Sequence, residues 1–216
     1  MFAALTYYDN VSTVNISNDF LMKNYHHGNL KEELTACAIK ICESDGHANL
    51  SIRRLAKESN VSQTAPYRHF ETKEHLYAEM AKIGFIEMQD AIGKSNDFID
   101  KAKKYLNFGL NKQHLYDLMF DKSAIEDFSE YPDLFKEIIN ASTNLEESFK
   151  KFSGIKDKKE AGIKSFTVWA TLHGMVGIFR AMPENPIEES IMYRAADVFN
   201  NIDDYLEKVF TSIAKA

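Results

Sequence analysis

Glycine and proline are scarce: the chain holds 9 and 4 of them in 216 residues. Both interrupt regular backbone, so their scarcity favours long helices over a many-turned β fold. No alternating strand pattern and no internal repeat appears. No continuous apolar run approaches the length of a membrane span. Cysteine is limited to Cys37 and Cys42, five apart on one predicted helix. That spacing places them on different faces, which argues against a disulfide or a metal pair and suits a reducing cytoplasm. His26 and His27 are adjacent, so their side chains diverge, and no nearby carboxylate or cysteine completes a metal shell. Enzyme signatures are missing too. There is no P-loop and no dinucleotide glycine pattern. No histidine has glutamate three residues before it, which removes a di-iron pair. No spacing singles out a catalytic triad. The expectation is a non-enzyme without cofactor or metal.

What the chain does contain is a short, dense pattern from Leu50 to Lys73, LSIRRLAKESNVSQTAPYRHFETK. Ser51 can cap a helix whose apolar positions are Ile52, Leu55 and Ala56, at i, i+3 and i+4. Arg53, Arg54 and Lys57 fall largely off that face. The helix stops near Ser59 and Asn60, and asparagine tolerates the left-handed backbone a turn requires. Val61 supplies an apolar plug. Ser62 can cap a second helix, Gln63 to about Phe70, with Pro66 tolerated early in it. Ala65 and Phe70 are expected to face the core. Gln63, Thr64, Tyr67, Arg68 and His69 are then left for a partner. A major groove admits one helix, and its base edges are read by such side chains. A helix-turn-helix also occurs as a packing corner, and Tyr67 can bury its ring with only the hydroxyl outside.

These residues resemble the tetracycline-repressor (TetR) family of bacterial transcription regulators, from Asn29 to about Phe85. Thr64-Ala65-Pro66-Tyr67-Arg68-His69-Phe70, followed by Thr72-Lys73-Glu74-His75-Leu76, is similar to that family's recognition helix running into its fourth helix. The resemblance implies that Tyr67, His69 and Lys73 hold DNA phosphates. It implies that Gln63 and Arg53 reach base edges. Asn60 stands where the family usually has glycine. The expected DNA-binding set is Ser51, Arg53, Ser62, Gln63, Thr64, Tyr67, Arg68, His69 and Lys73.

Net charge is −6, which does not suit a broad polyanion-binding field. Residues 22–84 carry 9 basic and 8 acidic residues, and residues 85–216 carry 17 and 22. A nearly neutral module must bind through placed cations.

Residues 1–21 have many turn formers and no basic residue ahead of a clean apolar stretch, so they do not read as a signal peptide. They read as an unstructured extension, either not native or a flexible arm, with Met22 a natural start. Lys23 to His27 is then a groove-contacting arm or a disordered tail. Asn29 with Glu32 is a capping-box analogue, opening a helix with Leu30, Leu34, Cys37, Ala38 and Ile41 on one stripe. Gly46 ends it. Thr72 can cap a further helix carrying Leu76, Met80 and Ile83, whose amide end near Lys73 favours a phosphate.

Beyond it, Asp97 to about Lys112 reads as one helix, and Leu115 to Ile125 as an apolar segment. Pro132 suits the first turn of a helix through Phe152. Gly154 and the charged run Lys156 to Glu160 read as a solvated loop. Ile163 to about Met182 is a long helix, Pro183 and Pro186 bracket a loop, and Ile191 to Ile213 is the last helix. Tyr105-Leu106-Asn107-Phe108, Leu115 to Phe120, and Trp169-Ala170-Thr171-Leu172-His173-Gly174 resemble one TetR subgroup, whose Trp-x3-His-Gly signature gives its WHG domain its name. Proline often stands there at the position of Gln113.

The expected fold is all-α: a three-helix helix-turn-helix domain over 22–84 and a helical effector and dimerisation domain over 85–216. Tyr105, Phe108, Tyr116, Phe120, Trp169 and His173 are candidate ligand contacts. Trp169 and His173, four apart on one face, suit a packed structural pair better than a ligand site. The resemblance implies a cytoplasmic homodimeric regulator of a palindromic operator, answering to a small-molecule effector and independent of membranes. The alternative is a helical small-molecule-binding protein with no operator preference.

Overall fold

The computed structural model describes residues 30–93, 95–183 and 185–216, and all regular structure among them is helical. The expectations for residues 1–21, the Met22 start, the Lys23 to His27 arm and the Asn29 cap lie outside the described residues.

Helix α1 (Leu30–Asp45) buries Leu34, Ala38, Ile41 and Cys42. Gly46, at φ +81°, turns the chain into one 3-10 turn, His47–Asn49. Helix α2 (Ile52–Glu58) starts as its sequence requires. The Ser51 hydroxyl accepts the Arg54 N–H, and Ile52, Leu55 and Ala56 are buried. It ends at Asn60, whose φ of +53° is the one left-handed non-glycine backbone among the described residues. Val61 N–H returns to the Ala56 carbonyl and Asn60 N–H to that of Lys57, which closes the helix with a Schellman pair.

Helix α3 (Lys73–Gly93) is 21 residues long, about 32 Å at 1.5 Å per residue. Thr72 caps it, accepting the His75 N–H at 3.2 Å. Its first half packs Leu76, Tyr77 and Met80 under the helix-turn-helix, and its second half packs Phe85 and Met88 among the carboxy-terminal helices. One rigid element therefore belongs to both halves of the core.

The bundle follows: α4 (Phe98–Asn111), α5 (Gln113–Phe120), α6 (Pro132–Ser153), α7 (Lys158–Arg180), α8 (Ile191–Asn200) and α9 (Ile202–Lys215). Phe98 of α4 joins Phe149 of α6 and Phe210 of α9, with ring centroids 5.6 and 5.5 Å away. Gly109 lets α4 approach α7: a Cβ there would stand 2.8 Å from both γ carbons of Val176. The turn between α4 and α5 forms without proline. Lys112 leaves helical geometry at ψ +49°, and the Gln113 side chain donates to the Leu110 carbonyl.

Two expected boundaries are corrected. Lys156 to Glu160 is not all loop, because α7 begins at Lys158. The Asp157 carboxylate caps it by accepting the Glu160 N–H at 2.7 Å. The last helix is not continuous from Ile191 to Ile213. It breaks at Asn201, whose side-chain amide donates to the Asp197 carbonyl while its backbone N–H is shared between Asp197 and Val198. Such local side-chain bonding competes with the helical ladder.

Candidate nucleic-acid interface and the cavity behind it

The segment after the turn presents the expected side chains on a backbone that differs from the expected one. Gln63 to Phe70 is not an α-helix. Ser62 to Ala65 forms a turn, and Pro66–Arg68 is a single 3-10 turn. Proline has no N–H to give the Ser62 carbonyl and its ring crowds that carbonyl. The carbonyl accepts from Ala65 instead, at 3.0 Å, and Arg68 and His69 N–H groups bond three residues back. Ser62 does not cap a helix here; its hydroxyl meets that of Thr64 at 3.2 Å.

Ala65, Pro66 and Phe70 anchor the segment in the core. Gln63, Thr64, Tyr67, Arg68 and His69 are all exposed, as are Ser51, Arg53 and Ser62. Tyr67 is 58% exposed, so its ring is not buried. The side chains of Arg53, Gln63, Tyr67, Arg68 and His69 make no hydrogen bond or ion pair among the described residues. The neighbouring cation differs: Arg54 is held by Asp45 and by Glu58, the latter at 2.7 Å. Lys73 lies at the amino end of α3, half-buried, with Nζ 5.0 Å from the Tyr77 ring centroid. Desolvation lowers its pKa.

Polar contacts tie this module to the bundle, and sequence reasoning did not find them. The Glu43 carboxylate of α1 accepts the Leu115 N–H of α5 at 2.9 Å, capping a helix of the other half. Burial raises the Glu43 pKa. His47 Nε2 meets Asp121 at 2.9 Å. Asp121 is held below the usual carboxylate range, first by the Ser123 hydroxyl, with His47 contributing. Within the module itself, Tyr77 donates to the His47 carbonyl at 2.5 Å. These partners are 30 to 74 residues apart in sequence, and no local pattern marks them.

Behind α5 lies a cavity of about 720 Å³, within the usual range for a small-molecule site. Its walls are mainly aromatic and aliphatic, with Gln89, Asn144 and Glu146 among the polar groups. Tyr105, Phe120 and Trp169 line it. Phe108, Tyr116 and His173 are not among its lining residues. Phe108 is core. Tyr116 and His173 stand behind the wall, stacked on each other with centroids 5.5 Å apart and each against Phe120. Tyr105 and Tyr116 hydroxyls meet at 2.8 Å, and the Tyr116 hydroxyl meets His173 Nδ1 at 2.7 Å. Burial pushes the Tyr105 phenol up to about 12 and raises Tyr116 as well; it lowers His173. Phe85, Met88 and Phe98 also line the cavity. Helical spacing alone marks these as core, and the void appears only once several helices are placed together.

Residues 34–80 match the family model described as bacterial regulatory proteins, tetR family. The stretch is a TetR-type DNA-binding module carrying a helix-turn-helix. No curated protein matches the chain. A protein of unknown function from Rhodococcus sp. RHA1 superposes with a TM-score of 0.63 at 24% identity, over 83% of this chain and 97% of its own. PfmR, a TetR family transcriptional regulator from Thermus thermophilus, superposes with a TM-score of 0.53 at 17% identity, over 81% and 96%. The multidrug binding protein EbrR, solved with imidazole, gives 0.53 at 17% identity over 85% and 93%. At these identities the likeness establishes the fold: an amino-terminal helix-turn-helix joined to a helical bundle.

Proposed function

We propose that this protein is a homodimeric, ligand-responsive transcriptional repressor of a palindromic operator in double-stranded DNA, and not an enzyme. The observation that carries this is the exposed, unpartnered set Arg53, Gln63, Tyr67, Arg68 and His69 on a helix-turn-helix whose other face is core. In this reading Arg53 and Gln63 meet base edges, and Arg68 joins them at the groove. Tyr67, His69 and Lys73 hold phosphates, with the hydroxyls of Ser51, Ser62 and Thr64 beside them. Residues 22–84 form the DNA-binding domain and residues 85–216 a WHG-type effector and dimerisation domain.

An exposed face of α7 supports the dimer. Ile163, Phe166, Ala170, Gly174, Gly177 and Ile178 recur at helical spacing, and among the described residues nothing packs on either glycine. A second copy covering α7 and the last helices gives a four-helix interface. Its twofold axis sets two recognition segments on successive major-groove faces, about 34–36 Å apart. A ligand in the cavity rests on Phe120 of α5, and α5 is held on its other side by Glu43 and His47. The ligand releases DNA only if it binds the non-operator conformer more tightly. EbrR, a relative in fold, binds drugs, which agrees with a cavity of this kind.

Selection of bound sequences from a random duplex library tests this, using the full chain and a version starting at Met22. An enriched palindrome is expected. A folded dimer that enriches nothing favours the helical small-molecule-binding protein without operator preference.

A further inference from the structure

We propose that Glu146 makes the cavity a site for a singly cationic amphiphile, with the positive head at Glu146 and the apolar body lying along α7. This rests on the reading of the cavity as an effector site, and adds the charge and orientation of what enters it.

The polar groups of the wall carry the inference. Polar groups withdrawn from water are normally paired within the protein, because leaving one unpaired is costly. Gln89 accepts from the Asn144 amide at 2.9 Å and donates to the Glu137 carboxylate at 3.2 Å. Lys101 donates to the Ser148 hydroxyl at 2.9 Å. The Ser142 and Ser165 hydroxyls donate to carbonyls one turn back in their own helices, those of Ile138 and Ala161. Tyr105 is bonded to Tyr116. Glu147 and Lys151 also line the cavity, but both are exposed to water, with opposite charges one turn apart on α6. Glu146 is the exception. It is half-buried and makes no hydrogen bond or ion pair among the described residues.

Its carboxylate has a defined place against α7. Oε2 lies 3.6 Å from the point that a Cβ on Gly162 would occupy. Gly162, Phe166 and Trp169 all line the cavity. They follow at i, i+4 and i+7, within an arc of about 60° on one face of α7. An ammonium head beside Glu146 meets the carboxylate and stands one turn from the Phe166 ring, whose face attracts a cation. Trp169 is seven residues from Gly162, about 10 Å along the axis. An apolar body of that length reaches the Trp169 indole, which has the Phe120 ring 6.2 Å beyond it.

The nearby lysines do not reverse this polarity. Ser148, the partner of Lys101, is two residues from Glu146 and about 200° round α6, on the opposite side of that helix. Lys151 is about 140° round. Lys150 follows Glu146 by one turn but does not line the cavity.

Calorimetric titration of the full-length protein at about pH 7.5 with 4-cyclohexylbutylammonium, 4-cyclohexylbutanol and 4-cyclohexylbutanoate tests this. The three share one body, and at that pH the amine and the acid are both charged. The ammonium should bind at least about tenfold more tightly than the alcohol, because a charge-assisted bond outweighs a neutral one. The carboxylate should bind weakest. In Glu146→Gln the ammonium and the alcohol should come within about twofold of each other. Glu147→Gln should leave the wild-type ranking intact. An alcohol that matches the ammonium in the wild type overturns the inference and leaves the effector site standing. So does an ammonium preference that survives Glu146→Gln, or one that is lost in Glu147→Gln. If thermal unfolding shows Glu146→Gln to be unfolded, the wild-type ranking and Glu147→Gln decide together, since these two glutamates are the carboxylates that line the cavity. If the wild type binds none of the three, the effector-site reading fails and this inference falls with it.

Discussion

Pro66 sets the backbone of the exposed segment from Gln63 to His69. The order of side chains from Gln63 to Phe70 is legible in the sequence, including Ala65 and Phe70 as anchors. The backbone beneath them is not, because a first-turn proline suits either geometry until its crowding of the Ser62 carbonyl is known. Asn60 illustrates the opposite case: a residue that accepts left-handed geometry stands where that geometry is found. Asn60→Ala should cost about 1 kcal/mol, the penalty for a Cβ in that region, whereas Asn60→Gly should be near neutral; thermal unfolding distinguishes them. For binding, Gln63→Ala should relax preference at particular base pairs by about 1–3 kcal/mol. Lys73→Ala should weaken binding to every duplex and reduce the salt slope by about one. Titrations on operator and scrambled duplex across salt concentrations check both, and equal effects of the two changes would remove the division of roles.

Among the elements, helix spans are readable wherever apolar periodicity and caps agree, as at Ser51, Asp97 and Pro132. They are misread where charge or polarity hides a cap. Asp157 starts α7 inside a charged run, and Asn201 breaks the last helix with bonds that periodicity does not register. Packing between elements leaves less trace still. At Gly109 an added Cβ meets Val176, whose branched side chain has little rotamer freedom. Gly109→Ala should destabilise by about 1–3 kcal/mol in urea unfolding. Glu43 gives a pH signature. Burial raises its pKa in the folded state, so the folded chain holds that proton more tightly than the unfolded chain does. Its ionisation therefore subtracts stability as pH rises from the ordinary carboxylate value through the raised one. Glu43→Gln retains an oxygen for the Leu115 N–H. It should be more stable than wild type near neutral pH, and the difference should shrink to nothing in acid. A difference that stays constant with pH would discard the assignment.

At the scale of the whole molecule, the division into a helix-turn-helix and a helical bundle is legible because each has its own sequence pattern. The joint between them and the cavity are not, since both depend on residues distant in sequence meeting across helices. Assembly is the property most open to test. Gly174→Glu with Ile178→Glu places charges on the exposed face of α7, away from the buried positions of that helix. Sedimentation should show monomers, and operator affinity should fall by at least about tenfold, because one half-site contact no longer supports the other. A dimer that persists would assign the twofold axis to another surface.

Trp169 is the one tryptophan in the chain. It stands in the cavity wall, with Phe120, Phe166 and His173 rings 6.2, 5.8 and 5.4 Å away. All indole emission from this protein therefore originates at the cavity wall. The molecule carries its own optical gauge, so occupancy of the cavity can be followed in an unlabelled sample while DNA is added or withdrawn.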